Sequence, residues 1–335
     1  MKKKQIAFYL VLLILTAALP VAISSNYYMQ ICNQALVYLI IVMGLNFIIG
    51  FCGQISLAST AFWGIGAYVS AILTTRYSIP FWAGLLIAAI AAMLIAFIIG
   101  IPTLKLSKFY LGIATIGIGE IIYLVLLNWS DMTQGANGIA GIPKPFLGPI
   151  ELSTDYQYFY VALGVAVLLL FFSVRIKHSR FGRGLRAIND NEIAAESAGI
   201  PTHLYKTLAF ALSAFYAGAA GSLYAHLIGY ISPDLFVFRQ SVTFLCMFMI
   251  GGSGYIIGPV IGSILLSVLP EWMRFLQDYY MAIYGILVTL LAIVMPTGIS
   301  GLIEKYFPKV FAFLEPYAQV PKQVLKGGPH KWKKT

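Results

Sequence analysis

Charge is what this 335-residue sequence has least of: 10% of its residues are Asp, Glu, Lys or Arg, against about 25% in a typical soluble chain. Hydrophobic residues make up 60%, and mean hydropathy is +0.85. A chain this apolar cannot maintain a soluble surface, so the bilayer is the solvent for most of it. Catalytic constellations are missing as well. The four histidines, His178, His203, His226 and His330, are scattered, and there is no GxSxG, HExxH or Walker-type phosphate loop. Any ATP hydrolysis that drives this chain must therefore occur on another polypeptide, and no cofactor is expected on this one. The three cysteines, Cys32, Cys52 and Cys246, lie in apolar runs without CxxC spacing. They read as small core residues, not disulfides or metal ligands. The net charge of +10 would suggest nucleic acid in a soluble domain. Here its placement along the chain matters more than its sum, and no nucleic-acid partner is expected.

What is present is a succession of long, continuous apolar runs. They exclude the roughly ten-residue alternation of a β-barrel and imply an all-α polytopic membrane protein with about 8 to 10 transmembrane helices. Lys2-Lys3-Lys4 ahead of an apolar run to Ile23 has the charge layout of a signal peptide. The run is long enough to cross, so an uncleaved first span is expected. No charge occurs between Lys4 and Arg76. Polar punctuation divides this region into spans at about 5–24, 31–50 and 60–75, with Ser24 to Tyr28 as the first outside turn. Further spans are expected at about 80–103, 109–129, 157–174, 207–228 and 281–302. Between Gln240 and Pro270, Gly251-Gly252-Ser253-Gly254 and Gly258-Pro259 imply two short crossings, or a re-entrant half-helix plus one span. The organisation is thus N-terminal helices over 1–174 with an outside loop at 130–155, a cytoplasmic polar loop at 175–206, C-terminal helices over 207–303 and a basic tail at 304–335.

Three stretches carry polarity at unexpected places. Gly50 to Thr60 is uncharged yet polar and glycine-rich, which predicts irregular backbone at membrane depth, buried in protein or lining a cavity. Gln54, Ser56 and Ser59 are candidates for a translocation path there. Glu120 falls inside a span, in the segment that begins at Thr115. An ionised carboxylate there is costly unless paired or wet, so Thr115 and Glu120 join the candidates, with a structural glutamate as the even-weighted alternative. His226, near the outer end of its span, is read as a packing residue.

The third stretch is a hydrophilic island, Arg175 to Lys206, with six basic residues and the acids Asp190, Glu192 and Glu196. Asn189 or Asp190 can cap a helix there, Ile193, Ala194, Ala195 and Ala198 supply a small apolar face, and Gly199 and Pro201 end it. A short helix with small side chains outward suits a groove on another protein, the bland alternative being a solvated connection. With both termini in the cytoplasm, inside segments hold 18 Lys and Arg, and outside segments hold only Arg76, Lys144, Arg239 and Arg274. The positive-inside rule then makes the island cytoplasmic. Glycines at 64, 66, 112, 117, 119, 218 and 221 predict close helix packing.

Gly53-Gln54-Ile55-Ser56-Leu57-Ala58 followed by Ala61 to Tyr68 resembles the signature of permease subunits of branched-chain amino acid ABC importers, of the LivM-like kind. Other stretches recur in family order: Phe109 to Glu120, Thr133 to Pro143, Gly182 to Ile188, Glu192 to Gly199, and Gly251 to Gly262. The resemblance spans about residues 36 to 302 and implies the ABC importer permease architecture in a bacterial plasma membrane. It also implies a second, LivH-like permease subunit, two cytoplasmic ATP-binding subunits and an extracytoplasmic solute-binding protein. Leu, Ile and Val, or related small polar solutes, are the implied cargo. The island becomes the EAA-like coupling loop, with Arg183, Gly184, Arg186, Ala187, Asn189, Glu192, Ala194, Ala195 and Gly199 as the ATPase-coupling set. The leading glutamate is displaced relative to the family pattern, so the helix and its small face carry over and a role for the Glu192 carboxylate does not. The competing expectation is an ion-coupled secondary transporter with Glu120 as proton carrier.

Overall fold

A computed structural model describes residues 25–147, 150–151, 154–272 and 297–308, with Thr16, Leu19, Pro20, Gly285 and Thr289 as isolated positions. The expected spans at 5–24 and 281–302 and the basic tail lie largely outside the described residues. Helix α1 is Asn26–Leu45 and runs on into a π-helical turn, Asn46–Phe51. Then follow α2 (Ser59–Arg76), α3 (Phe81–Thr103), α4 (Lys108–Asn128), α5 (Asp155–His178), α6 (Arg180–Asp190), α7 (Glu192–Ser197) and α8 (Thr202–Ile228). The described chain ends with α9 (Phe238–Gly251), α10 (Ile257–Trp272) and α11 (Gly298–Tyr306). Among the described residues, five helices are long and apolar enough to cross a membrane: α1 with its π-turn, α3, α4, α5 and α8. The fold is that of an all-α polytopic membrane protein.

Several boundaries differ from the sequence reading. Asn26, Tyr27 and Tyr28, assigned to a turn, already belong to α1. The helices on either side of the island are longer than their apolar runs: Arg175, Lys177 and His178 form the last turn of α5, and Thr202 to Lys206 the first turn of α8. Apolar content marks where lipid ends, whereas helical hydrogen bonding continues into the polar layer, so the connection between these two long helices is confined to 179–201, which holds α6 and α7. In the 240–270 region the structure shows two short helices. Gly251 meets Gly258 and Gly262 meets Met247, which makes α9 and α10 an antiparallel pair.

The core forms where α8 crosses α2 and α3. A Cβ on Gly66 would overlap the Gly218 backbone, and one on Gly221 would overlap the Trp63 carbonyl. Backbone contact between helices in lipid requires such small residues. The expectation fails for Gly117 and Gly119, which have nothing within 4 Å among the described residues; they lie on α4, much of whose surface the other described residues leave uncovered. Trp63 is buried among Tyr224, Phe236 and Phe244 in edge-to-face contacts.

The connections sort onto two ends of the bundle. At one end β1 (Ile139–Ala140) pairs antiparallel with β4 (Tyr230–Ile231), and β2 (Phe146–Leu147) pairs with β3 (Ile150–Glu151). His226, at the base of this end, is completely buried. It hydrogen-bonds through Nε2 with the Ser70 hydroxyl at 3.0 Å and through Nδ1 with the Pro143 carbonyl at 2.6 Å. Its packing role holds, but as a buried hydrogen-bonded hub between the loop and two helices. The opposite end carries the π-turn, the 104–107 turn and the island, tied together where His203 meets the Ile101 carbonyl at 2.9 Å.

Candidate functional site

The stretch between α1 and α2 is irregular, as its polar glycine-rich composition requires. The π-turn ends at Phe51, Gly53 takes a left-handed φ of 69°, and Gln54 donates its backbone N–H to the Ile48 carbonyl at 2.9 Å. Residues 52–58 then run without helix into Ser59. Gln54, Ser56 and Ser59 are all buried. Thr115 completes the group from α4: its hydroxyl accepts the Leu57 N–H at 3.0 Å while donating to the Gly112 carbonyl at 2.8 Å. The Gln54 side-chain nitrogen is buried without a hydrogen-bond partner among the described residues. Such a group is costly unless something beyond this chain meets it.

Glu120 does not join this cluster. It is exposed on α4, five residues and about 140° around the helix from Thr115. The structure therefore brings together four of the five predicted path residues. Thr60 and Ser241 add a hydroxyl pair at 2.5 Å that links the start of α2 to α9, a contact between sequence-distant residues that no local pattern announces.

A second break lies beside the first. Gly252 and Gly254 take positive φ values of 116° and 80° between α9 and α10. Asn46, in the π-turn, accepts the Gly254 N–H at 3.1 Å and donates to the Tyr255 carbonyl at 2.7 Å. One buried amide thus satisfies a donor and an acceptor that the interrupted helix leaves open. Sequence reasoning found both breaks and missed the asparagine between them.

The island folds as two helices rather than one. Ser179 caps α6 through the Gly182 N–H at 3.2 Å. The cap of α7 is Asn191, accepting the Ala194 N–H at 3.0 Å, not Asn189 or Asp190, which complete α6. Asn191 alone has the extended backbone a cap needs. Gly199 ends α7 as expected, with φ at 82° and Ile200 donating back to the Ala195 carbonyl at 3.1 Å.

The small apolar face points outward as expected, save at one residue. Ala195 is buried, whereas Ile193 is 78% exposed, and Ala194, Ala198 and Gly199 are exposed around it. Arg183 and Arg186 bind this chain's own backbone, donating to the His178 carbonyl at 2.8 Å and the Lys177 carbonyl at 3.1 Å. They seat α6 on the carbonyl end of α5, where cations are favoured. Gly184 lies under the Tyr205 ring and admits no side chain, and Ala187 is half-buried beside it in α6. Glu192, for which no role was carried over, pairs with Lys206 of α8 at 2.5 Å.

Asn189 points at the membrane break. Its amide donates to the Gly50 carbonyl at a long 3.4 Å, and a Cβ on Gly53 would overlap its Oδ1. Lys177, buried, sits over the Phe51 ring at 5.7 Å. The polar island and the break that follows the π-turn are in direct contact.

Long apolar helices around two adjoining helix breaks, with a structured polar island against them, define a polytopic membrane permease. Residues 27–294 match the family described as branched-chain amino acid transport system / permease component, and the chain belongs to it. The chain is 35% identical over 319 residues to the high-affinity branched-chain amino acid transport system permease protein LivM of Escherichia coli K12, covering 88% of this chain and 75% of that protein. It is 28% identical over 290 residues to the LivH permease protein of Salmonella typhimurium LT2, covering 79% and 91%. It is 26% identical over 209 residues to the autoinducer 2 import system permease protein LsrC of Escherichia coli O9:H4, covering 58% and 56%. No solved structure matches. With Glu120 apart from the polar cluster and relatives that are import-system permeases, the ion-coupled alternative has no support.

Proposed function

We propose that this chain is one membrane half of an ATP-driven importer that carries leucine, isoleucine and valine or a related small polar solute. Its LivM and LivH relatives are named for branched-chain amino acid transport, which favours that cargo and a second, homologous permease subunit as partner. ATP is bound by two separate cytoplasmic subunits. A secreted binding protein delivers the solute to the loops at the β1–β4 end.

The observation that carries this reading is α7: a short helix with an exposed apolar tip, Ile193, on a base fixed by the Glu192–Lys206 pair. With Ala194, Ala198 and Gly199 exposed beside it, an isoleucine 78% exposed in the most polar part of an apolar chain favours a partner site there. The island shares its end of the bundle with Lys105 and Lys108, and Arg76, Lys144 and Arg239 fall at the other. This distribution favours a cytoplasmic island and cytoplasmic termini. Gln54, Ser56, Ser59 and Thr115 form the polar part of the path, with the unpartnered Gln54 amide as the group that meets solute. Glu120 stands apart, on an exposed face that suits the second permease.

The test is to purify the chain with a LivH-like permease, ATPase subunits and a binding protein from the same organism, reconstitute the complex, and measure uptake of labelled leucine. ATP-dependent uptake requiring the binding protein supports the proposal. Uptake by this chain alone, abolished by a protonophore, refutes it.

A further inference from the structure

We propose that Asn189 is a positioning residue that transmits displacement of the island to the break at 50–58, and that Asn46 carries it on to the break at 252–256. The inference rests on the reading of the island as the ATPase-docking element, and adds the route by which docking reaches the solute path.

Three features make the route mechanical. First, the island is stiff at its base: Arg186 and Arg183 fix α6 to the last carbonyls of α5, and Gly182 is pressed against the carbonyls of Ile176 and Lys177. A displaced α6 therefore moves as a body with the end of α5. Second, Asn189 lies against the break. Its amide reaches the Gly50 carbonyl at 3.4 Å and packs on the bare backbone of Gly53, where a Cβ would overlap it, so motion of α6 towards the π-turn bears on the chain at Gly53. Lys177 over the Phe51 ring adds a second grip on the same turn from α5. Third, the segment that receives the push leaves the helical ladder. Cys52, Gly53 and Gln54 still donate back to Phe47, Ile49 and Ile48, but residues 55–58 run without helix, so they can change conformation while breaking few bonds.

Asn46 extends the route. Its amide holds Gly254 and Tyr255 at 3.1 and 2.7 Å, and a Cβ on Gly50 would approach Gly254 N to 2.9 Å. The two breaks are therefore clasped, and one cannot shift without the other. Close-packed elements with two discrete arrangements respond to such small shifts by switching between them.

The experiment uses the full reconstituted complex and reads solute imported per ATP hydrolysed, normalised to ATPase bound. Asn189→Ala is expected to lower that ratio at least tenfold with ATPase stoichiometry unchanged. A ratio within twofold of the unaltered complex would overturn the proposal. Should Asn189→Ala not assemble, hydrogen exchange in the unaltered complex decides. Adding the non-hydrolysable analogue adenosine 5′-(β,γ-imido)triphosphate is expected to change amide exchange at both 46–58 and 252–256. Unchanged exchange at either break overturns the route. Absence of any bound ATPase from the unaltered complex would instead refute the docking reading itself.

Discussion

Lys206 and Glu192 meet at 2.5 Å, with the lysine side chain 8% exposed and the glutamate 38%. The pair ties the largely exposed α7 to α8, the helix at the core. Removing Glu192 leaves an ammonium nearly buried and unmatched, which costs more than the pair contributes when intact. Glu192→Ala is expected to destabilise the island by roughly 1–3 kcal/mol and to lower the melting midpoint in detergent. Glu192→Ala combined with Lys206→Met is expected to recover most of the loss, since no charge is then stranded. A double variant no more stable than Glu192→Ala would show that the pair is not what holds α7.

Ile193 and Ala195, two residues apart on α7, face opposite ways, one exposed and one buried. Ile193→Asp is expected to weaken ATPase binding about tenfold or more, the loss of one interface anchor, with the permease itself melting as before. Ala195→Leu is expected to do the reverse, costing about 1–3 kcal/mol of stability through overpacking. Affinity by surface-immobilised permease and stability by thermal melting separate the two.

Gly221 and Gly117 make a similar contrast within the bilayer. A Cβ at Gly221 would overlap the Trp63 carbonyl, whereas Gly117 has open space around it. Gly221→Ala is expected to destabilise the isolated chain by about 1–3 kcal/mol. Gly117→Ala is expected to be neutral or stabilising by up to about 1 kcal/mol. Thermal melting of the isolated chain reads both.

His226 bonds Ser70 and the Pro143 carbonyl at once. His226→Ala removes the bond to the Pro143 carbonyl, leaves Ser70 with Ser222 alone, and frees the loop that β1 pins against β4. The expected result is a loss of about 1–3 kcal/mol and faster limited proteolysis within 139–147, with cleavage elsewhere unchanged. Equal protection of that loop would argue against the hub.

The breaks were legible in sequence because Gly50 to Thr60 is polar and uncharged where a lipid-facing helix cannot be, and because Gly251 to Gly254 interrupts an apolar run. Most helix limits were legible to within a few residues for the same reason, except beside the island, where helix and apolarity part company. The burial of Ala195 within the exposed face of α7 was not legible. At six residues it is less than two turns, too short for a period to distinguish Ile193 from Ala195. Contacts such as Asn46 with Tyr255, or Asn189 with Gly50, join residues more than a hundred positions apart and leave no local trace. Glu120 shows the opposite limit: an intramembrane acid is conspicuous in sequence, but which face it occupies depends on how α4 packs.

The most direct test of the central claim places a photo-cross-linking amino acid at Ile193 in intact cells. An adduct with the nucleotide-binding subunit, its yield changing when ATP is depleted, is the predicted result. No such adduct, or capture of a protein on the outer face of the membrane, would contradict the account.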